Sequence, residues 1–153
     1  MTIELASLED IKALLGRPPT TSGTIRVDQT MIDAFAQVTR DRQWIHVDPA
    51  RAALESPYGG TIAHGFLTLS LLSHLFGQTY SFPGARLSLN YGFDRVRFTG
   101  AVAAGAEICA TIALHGAVDV APREVRAAWD VAVRVTGAQR PALVARWLTQ
   151  VRY

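Results

Sequence analysis

The sequence predicts an α+β domain in which a long buried helix packs against a curved antiparallel β-sheet. The segment from Ile62 to Phe76 is apolar on almost every side of a helix, which is typical of a helix in the middle of a domain. Downstream of it, apolar and polar residues alternate in runs separated by short connectors, which indicates strands joined by hairpins. With 153 residues the chain suits one covered core, so we expect a single domain over residues 1–153.

Composition and charge exclude several kinds of partner. The net charge is only +2 and the arginines are scattered, so we expect no nucleic acid partner. Cys109 is the only cysteine, which leaves no disulfide framework and no cysteine-based metal site. The chain starts without a basic segment, and its longest apolar stretch is shorter than the ~20 residues of a membrane span. We therefore expect a cytoplasmic protein without a signal peptide or a membrane partner.

Capping residues predict where the helices of the first half begin. Ser7 precedes a short helix over residues 8–15, which Gly16 ends. Asp28 follows a short strand over residues 24–27 and caps a helix that ends near Arg40. The apolar stripe of that helix is predicted to consist of Met31, Phe35 and Val38, with Ile32 and Ala36 beside it.

The remaining helix boundaries follow from proline and glycine. Asp48 and Pro49 form an N-cap followed by proline at the first helical position, which predicts a short helix through Leu54. Gly77 is predicted to close the long apolar helix.

The second half of the chain predicts strands. The alternating apolar residues are Leu87, Leu89, Tyr91 and Phe93; Ile108, Ala110, Ile112 and Leu114; Val125, Ala127, Trp129, Val131, Val133 and Val135; and Leu143, Ala145, Trp147 and Val151. In the first run the phase shifts around Asp94 and Arg95, which predicts a β-bulge and turns Val96 and Phe98 inward. The connectors 99–105, 116–122 and 137–141 are short enough for hairpins, so we expect antiparallel pairing.

Two neighbouring motifs carry the chemistry. Asp41 and His46 place an acid and an imidazole five positions apart in a loop. A glycine-rich segment follows and leads through Ile62-Ala63-His64-Gly65 into the apolar helix. Free backbone N–H groups at the start of a helix favour negative charge, so this arrangement indicates an acid/base pair beside a group that can polarise a carbonyl.

On these residues the chain resembles the MaoC-like, or R-specific enoyl-CoA hydratase, family. The family pattern Gly-Asp-x-Asn-Pro-x-His-x-Asp is matched at Asp41, His46 and Asp48, and the pattern Ile-Ala-His-Gly is matched at residues 62–65. The segment Gln-Trp-Ile-His over residues 43–46, together with residues 90–98, is similar to the branch that includes nodulation protein N-like dehydratases. The resemblance extends over roughly residues 28–147 and implies the hot-dog fold, a long helix wrapped by an antiparallel sheet.

The resemblance also implies an activity and a set of site residues. Asp41 and His46 share one water and add it to a trans-2-enoyl thioester of CoA or an acyl carrier protein, which yields the (3R)-3-hydroxyacyl thioester. The order of acid and base within the pair stays open. The Gly65 amide supplies the oxyanion contact, and its missing side chain lets the thioester approach. Gln43 either bonds within the site or caps the turn, and Ser73 is either a partner of Asp41 or bonded to its own helix.

The family further implies a homodimer and no cofactor besides the CoA of the substrate. His64 is expected to be structural and to order its loop. Because the i, i+4 helical spacing of zinc-binding histidines is absent, we expect no metal site at Asp41, His46 and His64.

The chain departs from the family pattern at Arg40, Gln43 and Trp44, which replace Gly, Asn and Pro. We expect Trp44 to wall the acyl pocket or to pack against the partner subunit. Two other interpretations of the activity stay open: an acyl-CoA thioesterase, because hot-dog proteins include many, and an acyl-CoA-binding hot-dog subunit without turnover, which these departures favour.

Overall fold

The computed structural model describes residues 2–153, and most strands join one curved sheet. The strands are β1 (Ile3–Glu4), β2 (Thr20–Thr21), β3 (Ile25–Val27), β4 (Tyr80–Ser81), β5 (Leu87–Phe98), β6 (Ala106–Ala121), β7 (Glu124–Val135) and β8 (Leu143–Arg152). The helices are α1 (Leu8–Lys12), α2 (Gln29–Thr39), α3 (Trp44–Val47), α4 (Pro49–Glu55), α5 (Gly65–Ser70) and α6 (Leu72–Thr79). The α+β prediction is confirmed.

The six-stranded sheet is antiparallel and has the order β2-β6-β7-β8-β5, with β3 also paired to β6. Its inward face is buried along β6, β7 and β8, as the alternation predicted, except that Val135 at the end of β7 is only partly buried. The buried members are Ile108, Ala110, Ile112, Leu114, Val125, Ala127, Trp129, Val131, Val133, Leu143, Ala145, Trp147 and Val151. Strands β1 and β4 form a separate parallel pair. The three long strands therefore form the rigid wall against which the helices pack.

Strand β5 differs from the prediction in two ways. It pairs with β8 and not with β6, so residues 99–105 form a crossing connection and not a hairpin. Leu87, Leu89 and Tyr91 are exposed because β5 is the edge strand, and Phe98 is 47% exposed. The predicted bulge is present between Phe93 and Arg95, with a second irregularity between Asn90 and Gly92.

The capping predictions are confirmed at three helices. The side chains of Ser7, Asp28 and Asp48 accept hydrogen bonds from backbone N–H groups in the first turns of α1, α2 and α4. Helix α1 ends at Lys12, earlier than predicted. In α2 the buried residues are Ile32 and Ala36, whereas Val38 is 83% exposed.

The central helix differs from the predicted span. It starts at Gly65, not Ile62, and divides at Leu71 into α5 and α6, although the hydrogen bonds from Leu71 N to Leu67 O and from Leu75 N to Leu71 O continue across the division. Gly77 lies inside α6, which ends at Thr79. Leu67, Leu72 and Leu75 are buried, but Phe66 is 67% exposed, so one side of the helix is uncovered within this chain. Within residues 2–153, no helix has the length and hydropathy needed to span a membrane.

Candidate active site

The two sequence motifs lie side by side because the loop over residues 61–64 bonds to helix α3. Ile62 N donates to Ile45 O at 3.1 Å, and His46 Nδ1 donates to Ile62 O at 2.7 Å. On its other side the loop is fixed by a bond of 2.7 Å from Ala63 N to Val102 O. Backbone bonds on both sides therefore set the position of His46 relative to the start of the central helix.

His46 is 8% exposed, and its hydrogen bond selects one tautomer of the imidazole. A carbonyl oxygen can only accept, so the bond to Ile62 O requires the proton on Nδ1 and leaves Nε2 as the accepting nitrogen. Burial lowers the pKa of His46 from its ordinary value of 6.5, and His64 lowers this pKa too. The bond to Ile62 and the nearby Asp41 carboxylate act in the opposite direction.

Asp41 follows directly on the end of α2. The helix is closed by Arg40, which has a left-handed backbone with φ of 65°. The family pattern has glycine at this position, and glycine adopts this conformation without strain. Arg40 keeps the same turn at a cost, so this departure does not redirect the chain before Asp41. Asp41 Oδ1 accepts a long bond of 3.4 Å from Gln43 N.

The structure brings Asp41, His46 and His64 together. Each offers an oxygen or nitrogen atom, and these three atoms lie within 4.8 Å of one another. Asp41 is exposed while the two histidines are buried. The pairing of Asp41 with His46 thus has the proximity that the sequence motif required.

Gly65 is the first residue of α5, and the side chain of His64 makes no capping bond to this helix end. A Cβ atom placed on Gly65 would lie 2.9 Å from Cδ1 of Phe98. The position therefore accepts only glycine unless the Phe98 ring moves.

A cavity of about 490 Å³ lies between His46 and Gly65. It is lined by His46, Tyr58, Ile62, Ala63, Gly65, Thr68, Phe98, Thr99, Gly100, Ala101, Val102 and Ala142. His46 and Gly65 thus border the same space, in which a small part of a substrate can contact both.

Three other predicted residues lie differently. Gln43 is the N-cap of α3, but its side chain makes no capping bond; its backbone carbonyl accepts from His46 N at 3.0 Å. Ser73 is exposed and lines a second cavity with Phe76 and Trp147, so the structure does not bring it to Asp41. Trp44 contacts Arg51 of α4, whose guanidinium lies 4.5 Å from the centre of the Trp44 ring.

Sequence reasoning missed Gln29 and Thr61. Gln29 Nε2 donates to His46 O at 2.7 Å, and Gln29 Oε1 accepts from Thr61 Oγ1 at 2.5 Å. Gln29 thus ties α3 to the loop that carries the second motif. Polar residues are ordinary in the first turn of a helix and beside glycines, so neither position offered a signal.

The geometry of the two histidines does not suit a shared metal ion. Their rings are stacked with centroids 3.8 Å apart and planes only 28° from parallel. The lone pair of an imidazole nitrogen lies in its ring plane, so the lone pairs of two stacked, nearly parallel rings lie in separate layers and do not point at one ion.

Comparison with known proteins places this fold and site in a family. Residues 10–135 match the family described as MaoC like domain. Nodulation protein N of Rhizobium meliloti is 43% identical over 148 residues, which cover 96% of this chain and 92% of that protein. The 3-hydroxyacyl-thioester dehydratase Z of Mycobacterium tuberculosis is 42% identical over 147 residues, which cover 96% of this chain and 95% of that one.

Among solved structures, the (R)-hydratase from A. caviae involved in PHA biosynthesis matches with a TM-score of 0.71 and 25% identity, covering 87% of this chain and 95% of that chain. The chain therefore belongs to the MaoC-like domain family, and its fold is the hot-dog fold. Both the predicted family and its nodulation protein N-like branch are confirmed.

Proposed function

We propose that this protein catalyses the reversible hydration of a trans-2-enoyl thioester of CoA or an acyl carrier protein to the (3R)-3-hydroxyacyl thioester. One observation carries the proposal: the ionisable atoms of Asp41 and His46 lie within 4.8 Å of each other, and His46 borders a cavity that Gly65 also lines. The names of two relatives, a 3-hydroxyacyl-thioester dehydratase and an (R)-hydratase, support the same reaction class.

The spacing of the pair suits one bridging water. Hydrogen bonds to water are about 2.8 Å long, and two of them meeting at the angle of a water molecule place their outer atoms about 4.5 Å apart. This agrees with the upper limit of 4.8 Å between the atoms of Asp41 and His46. A carboxylate and a neutral imidazole can both accept from such a water.

In the proposed step His46 Nε2 takes a proton from the water while the water oxygen bonds to C3 of the enoyl group. The π electrons move toward the thioester carbonyl, and the proton then passes from the imidazolium to C2, so the sum is the addition of one water. The lowered pKa of His46 keeps its ring in the accepting form at neutral pH. Asp41 orients the water, and its charge stabilises the imidazolium while it exists.

Gly65 has the role of stabilising the enolate oxygen in this proposal. Its N–H has no hydrogen-bond acceptor among residues 2–153, and Gly65 and His46 line the same cavity. An N–H donor that is already in place when negative charge develops typically contributes about 10²–10³ in rate. The reaction as proposed requires no cofactor besides the CoA or carrier that the substrate brings.

We also propose that the protein acts as a homodimer joined at β5. This strand is a sheet edge, where unpaired backbone groups can bond to a second copy. Its residues Leu87 and Leu89 are 43% and 45% exposed on the same face, which is unusual for neighbouring large apolar side chains of a monomer.

Incubation with crotonyl-CoA tests the reaction. We expect loss of the conjugated enoyl thioester without release of free thiol, and a 3-hydroxybutyryl-CoA product of the R configuration on chiral analysis. Free thiol would instead indicate a thioesterase, and binding without either change would indicate a subunit that has no turnover.

A further inference from the structure

His64 contacts both members of the proposed catalytic pair. Its ring is stacked on His46 with centroids 3.8 Å apart, and its Nε2 lies 3.0 Å from the backbone oxygen of Asp41. On its other side, the ring of Phe35 is 5.1 Å away. The side chain is only 3% exposed, so it is held between α2 and α3.

The hydrogen bond to Asp41 fixes the tautomer of His64. Because a backbone oxygen only accepts, Nε2 must carry the proton and donate it. The other nitrogen, Nδ1, is buried and has no partner among residues 2–153. A buried nitrogen that lacks a partner costs stability, and a side chain present only to fill space would avoid this cost if it were apolar. The one bond that His64 does make is to Asp41.

That bond acts where the chain is otherwise weakly held. The Asp41 side chain is exposed, and two of the backbone bonds around it, from its own N to Thr39 Oγ1 and from Gln43 N to its Oδ1, are both 3.4 Å long. The bond from His64 is shorter than both of these, at 3.0 Å, and His64 belongs to the second motif, one residue before Gly65.

We propose that His64 is a positioning residue that sets the separation between the Asp41 carboxylate and the His46 imidazole. This inference rests on the proposed hydratase activity of the pair. The donated bond holds the Asp41 backbone, and the stacked face holds the His46 ring, so one side chain locates both groups relative to Gly65. A displacement of about 1 Å in such a pair is enough to lower turnover by about 10².

Two substitutions of equal length separate the bond from space filling. Gln in His64→Gln can place an N–H donor where Nε2 lies, whereas Met in His64→Met has a similar reach and no donor. We expect kcat for crotonyl-CoA hydration to fall at least about tenfold further in His64→Met than in His64→Gln, with KM changed much less than kcat in both. His74→Gln, the same change at an exposed helix position, serves as the control and should retain wild-type kinetics.

A second readout follows His46 directly by NMR titration of its ring nitrogens. Asp41 and His64 are the ionisable groups that act on His46, and His64 lowers its pKa. Both substitutions remove this effect of His64, so they raise the His46 pKa equally unless Asp41 has moved. Because Asp41 raises the His46 pKa, the inference predicts a lower His46 pKa, and an acidic limb of the kcat/KM profile at lower pH, in His64→Met than in His64→Gln. A purely structural His64 would give the same His46 pKa in both variants.

The outcomes are distinct. Equal kcat and equal His46 pKa in the Gln and Met variants would overturn the inference. If His64→Met does not fold, His64→Asn replaces it, because its amide is too short to reach the Asp41 carbonyl, and the same comparison with His64→Gln decides. A wild-type protein without hydratase activity would instead reject the proposed function, and the His46 pKa in the two variants would still test whether His64 sets the separation of the pair.

Discussion

Two buried polar clusters of the molecule differ in how completely their atoms are bonded. At the end of the sheet, the Glu124 carboxylate is only 5% exposed and accepts from Gln150 Nε2 and Arg152 Nε. Gln150 Oε1 in turn accepts from Arg126. At the candidate active site, by contrast, His64 Nδ1 lacks a partner and His46 Nε2 is left as an accepting nitrogen beside a cavity.

From this difference we infer that the sheet cluster serves the fold and that the site cluster is suited to the proposed reaction. A fully bonded cluster adds stability and has no atom to spare for a substrate. A cluster in which one nitrogen lacks a hydrogen-bond partner is less stable, but that nitrogen is available to water and substrate. Substitutions at the sheet cluster should therefore change stability, and substitutions at the site should change activity.

The largest expected effect is at the proposed catalytic pair. Asp41→Asn and His46→Gln should each lower the rate of crotonyl-CoA hydration by at least about two orders of magnitude, because His46 takes the proton of the attacking water and the Asp41 carboxylate orients that water and stabilises the imidazolium. Initial rates and circular dichroism of the same samples check this. Asp48→Asn is the matched control: Asp48 caps α4, asparagine caps equally well, and activity should stay at the wild-type level. Wild-type rates in either catalytic variant would remove that residue from the pair.

The next effect is at Gly65. An alanine Cβ would lie 2.9 Å from the Phe98 ring, and that ring lines the cavity. We expect Gly65→Ala to lower kcat/KM about tenfold or more because the Phe98 ring must shift and the cavity that it lines changes shape. Gly77→Ala lies in the same helical segment with nothing within 4 Å of the new Cβ. It should raise stability by about 0.5–1 kcal/mol and leave kcat/KM unchanged, and equal kinetic losses in both variants would contradict this account.

The sheet cluster is tested by Glu124→Gln. Hydrogen bonds from Gln150 and Arg152 lower the pKa of Glu124 below its ordinary value of 4.5. A carboxylate with a lowered pKa stabilises the fold fully above 4.5, and this contribution is lost as the pH falls through the lowered pKa. Glu124→Gln should therefore lower Tm at neutral pH, flatten the fall of Tm with pH below 4.5, and leave hydration at neutral pH unchanged. A change in activity without a change in Tm would reverse the roles assigned to the two clusters.

The smallest effect is expected at Arg40. Its left-handed backbone costs about 1–2 kcal/mol relative to glycine, partly offset by the greater freedom of glycine in the unfolded chain. Arg40→Gly should therefore raise stability by about 0.5–1 kcal/mol, measured by urea unfolding, because the turn before Asp41 keeps its shape. A destabilised variant would show that the Arg40 side chain makes a contribution that outweighs the strain.

The parts of the fold that the sequence predicted are those governed by local periodicity. Alternation identified the buried residues of β6, β7 and β8 because each strand has one covered face. The same pattern failed for Leu87, Leu89 and Tyr91, since alternation does not say which strand is at the edge or what covers its face. The prediction of a hairpin over residues 99–105 was wrong for the same reason. The length of this connection permits a hairpin, but the pairing of β5 with β8 depends on contacts distant in sequence.

The site was predictable where residue type alone restricts the chemistry. Asp41, His46 and Gly65 stood out because an acid, an imidazole and a glycine occurred at the spacing of a family motif. The bond of Gln29 to His46 arises from the packing of α2 against α3, and the bond of His64 to Asp41 arises where the loop over residues 61–64 lies against the end of α2. No local pattern encodes either contact. Ser73 lies on the same helical segment as Gly65, but the structure places it on a separate cavity.

The central claim is that Asp41 and His46 act on the same water, and a double-mutant cycle on kcat tests it most directly. If the two groups form one unit, Asp41→Asn combined with His46→Gln should reduce kcat for crotonyl-CoA hydration about as much as the more damaging single substitution. Two independent groups would instead give a double variant whose loss is the product of the two single losses, and that result would contradict the account.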